Sequence, residues 1–147
     1  MNGEIIVTAT FFGHRDTPSE IEAELRLVLT DLIKNESVTV FYVGSNGSFD
    51  YMAKRVLEDL SVIYPINYNI VLPYLPVKKN EYENFENTVF PEGLEAVPKR
   101  FAVSYRNKWM IDQSDVVVTY VTRNFGGAYQ FKSIAEKEGK RIIELSE

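Results

Sequence analysis

The sequence has no cysteine, which removes disulfides, thiolate catalysis and cysteine-type zinc sites together and fits a reducing compartment. It has a single histidine, His14, and no metal site is expected. No stretch approaches the roughly 18 apolar residues that a membrane helix needs, so no membrane partner is expected. Met1-Asn2-Gly3-Glu4 carries no positive charge, and the apolar stretch behind it is only a strand long. A secretion signal is therefore not expected, and a cytoplasmic setting is. Basic excess is lacking too: 16 Lys and Arg against 21 Asp and Glu give a net charge of −5. Such a surface as a whole repels a nucleic-acid backbone. Lys78-Lys79 and Lys99-Arg100 are short and flank an acidic segment, so no nucleic-acid partner is expected.

What remains is an ordinary globular composition, 147 residues that are 45% hydrophobic and 25% charged, enough for one core and no more. The expectation is a single domain over 1–147. Strand-like and helix-like stretches alternate, which argues for a parallel sheet covered by helices. Ile5–Thr10 reads as the first strand. Thr17, Pro18 and Glu20 have the spacing of a capping box with proline at the first helical position. Ile21, Leu25, Val28, Leu29, Leu32 and Ile33 then recur along one helix face. Val38–Val43 is a second strand, and a second helix begins near Phe49 with Met52, Ala53, Val56 and Leu60 inward. Tyr68–Leu72 is a third strand.

From Val77 to Pro98 the periodicity is lost among acidic and aromatic residues, the pattern of a long irregular excursion. A third helix spans about Lys99–Asp112, with Ala102, Tyr105 and Trp109 as a buried stripe. Val116–Val121 is apolar enough for a central strand. Gly126-Gly127 opens a fourth helix, Gly139 closes it, and Arg141–Leu145 is a last, edge strand. The fold class is thus α/β, a Rossmann-like three-layer sandwich on a five-stranded, mainly parallel sheet. Of the two common orders, 3-2-1-4-5 and 2-1-3-4-5, the first is favoured because strands one and four are the most apolar and the loops after both are chemically specialised. In that order the winding reverses between the first and fourth strands, and ligands collect beyond their carboxyl ends.

Three loops lie there. Gly13-His14-Arg15-Asp16 offers close backbone approach, an imidazole and a planar guanidinium suited to phosphate. Gly44-Ser45-Asn46-Gly47-Ser48-Phe49-Asp50 leads small residues into a helix N-terminus, where backbone N–H groups meet anions. The same residue types also serve a plain strand-to-helix turn with Ser48 as cap. Asp50 either contacts ribose hydroxyls or favours the positive helix end. Asn124-Phe125-Gly126-Gly127 pairs two glycines at a helix start, where a turn needs only one. Arg106 beside the third helix's stripe must find an anion, either Asp112 or a ligand.

In this order, Phe12-Gly13-His14-Arg15, Val43-Gly44 with Gly47 and Phe49-Asp50, Arg106-Asn107-Lys108-Trp109-Met110 with Ser114-Asp115, and Gly126-Gly127-Ala128 resemble the SLOG superfamily. That Rossmann-like group contains YpsA-like proteins, Smf/DprA and the Lonely Guy phosphoribohydrolases, and the likeness is greatest to the YpsA-like branch. The resemblance implies a pocket for nucleotide-type ligands built from these loops. In the hydrolase branch a Pro-Gly-Gly-x-Gly-Thr-x-x-Glu motif carries phosphate and a catalytic glutamate. Here Phe125-Gly126-Gly127-Ala128-Tyr129-Gln130 stands instead, which counts against that hydrolysis but not against phosphate binding.

The leading expectation is therefore binding or sensing of a small nucleotide, NAD- or ADP-ribose-like ligand. Its binding set is Gly13, His14, Arg15, Gly44, Ser45, Gly47, Asp50, Arg106, Gly126 and Gly127. No resident cofactor is assigned beyond that ligand. The alternative is an N-glycosidic hydrolase or transferase using Asp50, Asp16 and His14. A third reading is an interaction module using the acidic excursion. A homodimer suits so small a doubly wound sheet.

Overall fold

The computed structural model describes residues 5–74 and 87–146. Its strands are β1 (Val7–Gly13), β2 (Val38–Val43), β3 (Asn67–Val71), β4 (Thr88–Val89), β5 (Val116–Tyr120) and β6 (Arg141–Glu144). Its helices are α1 (Ile21–Glu36), α2 (Ser48–Ile63), α3 (Ala102–Gln113) and α4 (Gly127–Lys137). All six strands join one sheet of order β4-β3-β2-β1-β5-β6, every pairing parallel. The expected order is thus present, with one correction: there are six strands rather than five. The sixth, β4, comes from the segment read as irregular, and pairs Ile70 with Thr88 and Val71 with Val89. The part of that segment before Asn87 lies outside the described residues.

The alternation of side chains along β1 builds two cores. Ala9 and Phe11 face α1 and α2, packing with Leu25, Leu29, Phe41, Phe49, Val56 and Leu57. Phe12 faces α3 and α4, packing with Met110, Ile111, Val117 and Phe131. Phe11 stacks near Phe41 at 6.2 Å between ring centres, and Phe12 near Phe131 at 5.7 Å. Such pairs contribute about 0.5–1.5 kcal/mol beyond their burial. β5 is buried along its whole length, as its valine run requires. No helix of the described residues is long and apolar enough to cross a membrane.

Two local expectations are corrected. α1 starts at Ile21 with no side-chain cap, because Thr17 turns its hydroxyl to donate to the His14 carbonyl at 2.6 Å. In α3 the buried residues are Ala102, Arg106, Met110 and Ile111, whereas Tyr105 lies outside and donates to the Glu92 carbonyl at 2.9 Å. Trp109 stands edge-on to Tyr42, 5.0 Å between centres.

Candidate functional site

The loops after β1, β2 and β5 come together at the carboxyl edge of the sheet. Register fixes this: Gly13 pairs with Tyr120, so β1 and β5 end level, and the pairing of Thr10 with Tyr42 brings β2 to its end two residues short of them. Between the loops lie two clefts. One, of about 340 Å³, is lined by Gly13, Arg15, Asn46, Asp50, Arg106, Asn107, Gly127 and Gln130 among others. The other, of about 390 Å³, is lined by Gly13, His14, Arg15, Asp16, Arg123, Phe125, Gly126 and Gly127. They share Gly13, Arg15, Gly127 and Ala128.

Close packing shapes the floor. A Cβ on Gly13 would lie 2.2 Å from the Phe49 ring, and one on Gly44 would lie 2.7 Å from Asp50 Oδ2. Both glycines thus let neighbouring groups approach from inside the protein. Gly47 has φ +97° and lies against the Arg15 backbone, while the Ser48 N–H donates to the Arg15 carbonyl at 2.9 Å. The β1 and β2 loops are therefore stitched together. Gly126 and Gly127 differ: a Cβ on either meets nothing within 4 Å. Their small size leaves room on the cleft side.

His14 is buried, and its Nε2 accepts the Thr122 N–H at 2.8 Å. That bond clasps the β1 loop to the β5 loop and needs an unprotonated Nε2. Burial lowers the His14 pKa, as does the nearby Arg123 charge, against smaller raising effects of Asp16 and Glu144. The imidazole is therefore neutral, and its Nε2 is an acceptor rather than a proton donor. Asp16 is exposed and paired with Arg123, whose hydrogen bond holds its carboxyl below the usual range. Glu144 braces the same region, accepting from Thr119 Oγ1 at 2.5 Å and from the Val121 N–H at 2.8 Å.

Arg106 is fully buried. It donates to the Val71 carbonyl at 2.8 Å, to Asn107 Oδ1 at 2.8 Å and to Ser45 Oγ at 3.4 Å. Asp112 is not its partner, being paired with Lys108. Asp50 lies close by and accepts the Asn46 N–H at 2.9 Å. Burial pushes its carboxyl up to about 6, against the lowering effects of that N–H and of the Arg106 charge. Arg106 and Asp50 together brace the Gly44–Asn46 loop. Asp115, part of the sequence motif, is also structural, accepting the Thr8 N–H at 3.0 Å.

The expected residues Gly13, His14, Arg15, Gly44, Ser45, Gly47, Asp50, Arg106, Gly126 and Gly127 thus gather on one edge, with Asp16 at the rim. Arg15 is exposed, lines both clefts, and has no salt bridge among those of the described residues. Sequence reasoning missed Asn46, Thr122, Arg123, Phe125 and Gln130 as site residues. Phe125 had a signal, an aromatic beside a glycine pair; it proves 65% exposed. No cluster of His, Cys, Asp or Glu among the described residues could hold a metal.

No family model matches the chain, and no curated protein matches it. Among solved structures it is similar to DNA processing protein A (DprA) from Streptococcus pneumoniae, at TM-score 0.71 and 13% identity over 95% of this chain. It is also similar to DNA processing protein A from Helicobacter pylori, whose structure concerns its single-stranded DNA binding mode, at TM-score 0.64 and 16% identity over 94% of this chain. The chain spans 50% and 64% of the lengths of those two proteins. These neighbours correct two expectations, a small nucleotide-type ligand (with the N-glycosidic alternative on it) and the exclusion of nucleic acid. The exclusion rested on net charge and on the lack of a basic run; neither a sum over the surface nor a run along the sequence registers cations that separate loops bring to one edge.

Proposed function

We propose that this chain is a SLOG-type domain that binds single-stranded nucleic acid, DNA in the first instance, along the carboxyl edge of its sheet. The observation that carries the reading is Phe125, 65% exposed, beside Arg15 and Arg123 on the wall of the cleft. An exposed aromatic next to cations is what an unpaired base and its phosphate require, since stacking is indifferent to sequence and the charges follow the backbone. Phosphate oxygens would lie at the first amides of α4, over the open faces of Gly126 and Gly127, with Arg15 balancing their charge. Arg106 and His14, both buried, and the partly buried Asp50 act by holding the loops in place. The name of the Helicobacter pylori neighbour supports the same ligand class.

The test is fluorescence anisotropy with labelled oligothymidylate and with a duplex of equal length. The single strand is expected to bind and the duplex to bind more weakly, because stacked and paired bases cannot reach Phe125. Phe125→Ala is expected to weaken single-strand binding about tenfold, within the 1–3 kcal/mol that one stacked base contributes. No binding of oligothymidylate at low salt would overturn the reading.

A further inference from the structure

A third cavity, of about 200 Å³, lies across the β2 loop and is lined by Gly44, Ser45, Gly47, Asp50, Tyr51, Lys54 and Ile70. It shares Asp50 with the 340 Å³ cleft, so the two adjoin. Beyond it, Tyr51 and Lys54 also border a hollow of about 190 Å³ with Arg55 and Glu58. The sheet order places these features in line: the β5 loop with Phe125, the β1 loop with Arg15, the β2 loop, then the first two turns of α2.

Tyr51 is 65% exposed, a large aromatic that contributes little to either core. Arg55 lies over its ring, 5.5 Å from the centre, and is itself fixed by Glu22, Nε to Oε1 at 3.0 Å. One face of the phenol ring is thus supported by an anchored guanidinium. Lys54 is partly buried in the cavity wall and has no salt bridge among the described residues. The pair of a braced aromatic and an uncommitted ammonium repeats the combination found at Phe125 and Arg15, at the opposite end of the same edge.

We propose that Tyr51 and Lys54 form a second station for the strand that passes Phe125, Tyr51 stacking a base and Lys54 meeting the adjoining phosphate. The proposal rests on the single-strand reading and deepens it by setting the strand's course: across the sheet, over the β2 loop, onto α2. Asp50 and Glu58 repel phosphate at this end, which leaves Lys54 as the backbone contact and the ring as the base contact.

The experiment is an anisotropy titration of wild type, Tyr51→Ala, Tyr51→Phe and Lys54→Ala with labelled oligothymidylates of increasing length. Wild-type affinity is expected to rise with length until both stations are filled. Tyr51→Ala is expected to match wild type on the shortest binding oligomers and to fall about tenfold below it on long ones, with Tyr51→Phe retaining the gain. Lys54→Ala is expected to flatten the salt dependence on long oligomers alone. Because Tyr51 is exposed, a melting curve equal to wild type certifies the variant's fold. Identical length dependence in wild type and Tyr51→Ala would overturn the second station while leaving the first intact. Failure of wild type to bind any oligomer would instead overturn the single-strand reading itself.

Discussion

Asp50 shows how one carboxylate can belong to a ligand edge and yet act chiefly on the fold. Burial raises its folded pKa to about 6 from 3.8, so the folded chain holds this proton more tightly than the unfolded chain does. The sign follows: its contribution to stability is complete below the unfolded value, and is lost as pH rises through about 6. Asp50→Asn keeps an acceptor for the Asn46 N–H and removes the charge. Urea unfolding from pH 4 to pH 8 is expected to show the variant gaining on wild type across that window, to at most about 3 kcal/mol at pH 8. A constant difference between the two would refute the assignment. At this scale the sequence was partly legible. The glycine-bearing loops identified themselves, because close backbone approach leaves few choices of residue. The duties of His14 and Arg106 did not, because each is decided by partners far along the chain: Thr122 N–H for one, the Val71 carbonyl for the other.

Among the elements, α4 separates structural glycines from binding ones. Gly126 has φ +91°, a backbone conformation that side chains resist, so its identity is explained by the turn alone. Gly127 has no such need, and a Cβ there meets open space. Gly127→Ala is therefore expected to leave the melting temperature unchanged or raise it slightly, helix propensity favouring alanine by about 1 kcal/mol at most. Oligothymidylate binding is expected to fall severalfold, as the methyl intrudes on the phosphate position. A variant that binds as wild type would remove the α4 amides from the contact. Legibility again has a physical basis. α1 was readable because Ile21, Leu25, Leu29 and Leu32 are all buried on one face. β5 was readable because burial on both sides demands its valines. β4 was not, since two residues paired to an edge leave too short an alternation to stand out. The α1 cap departs from the expectation because the Thr17 hydroxyl donates to the His14 carbonyl in the preceding turn and the helix begins only at Ile21.

For the molecule as a whole, the net charge of −5 and the cations at the strand ends oppose one another, and salt tests the balance. Screening weakens the general repulsion and the local attraction alike, but counterion release tracks the phosphates contacted. With Arg15 and Lys54 as the principal contacts, the slope of log affinity on log salt is expected to be shallow, about −1.4 for two phosphates. Arg15→Ala should reduce its magnitude by about 0.7; an unaltered slope would take Arg15 out of the interface. The topology that sets the edge also sets when it comes into being. β1 sits centrally and acquires β2 early, but its other neighbour, β5, is drawn from the last third of the chain, and the clasp between His14 and Thr122 joins residues 108 apart. Half the recognition edge is thus built from local pairings and half from a distant one, which ring-closure entropy delays. In a growing polypeptide the β1 and β2 loops are made well before the β5 loop, and the cleft beside Phe125 stays open on one side until Arg123 and Gly127 arrive.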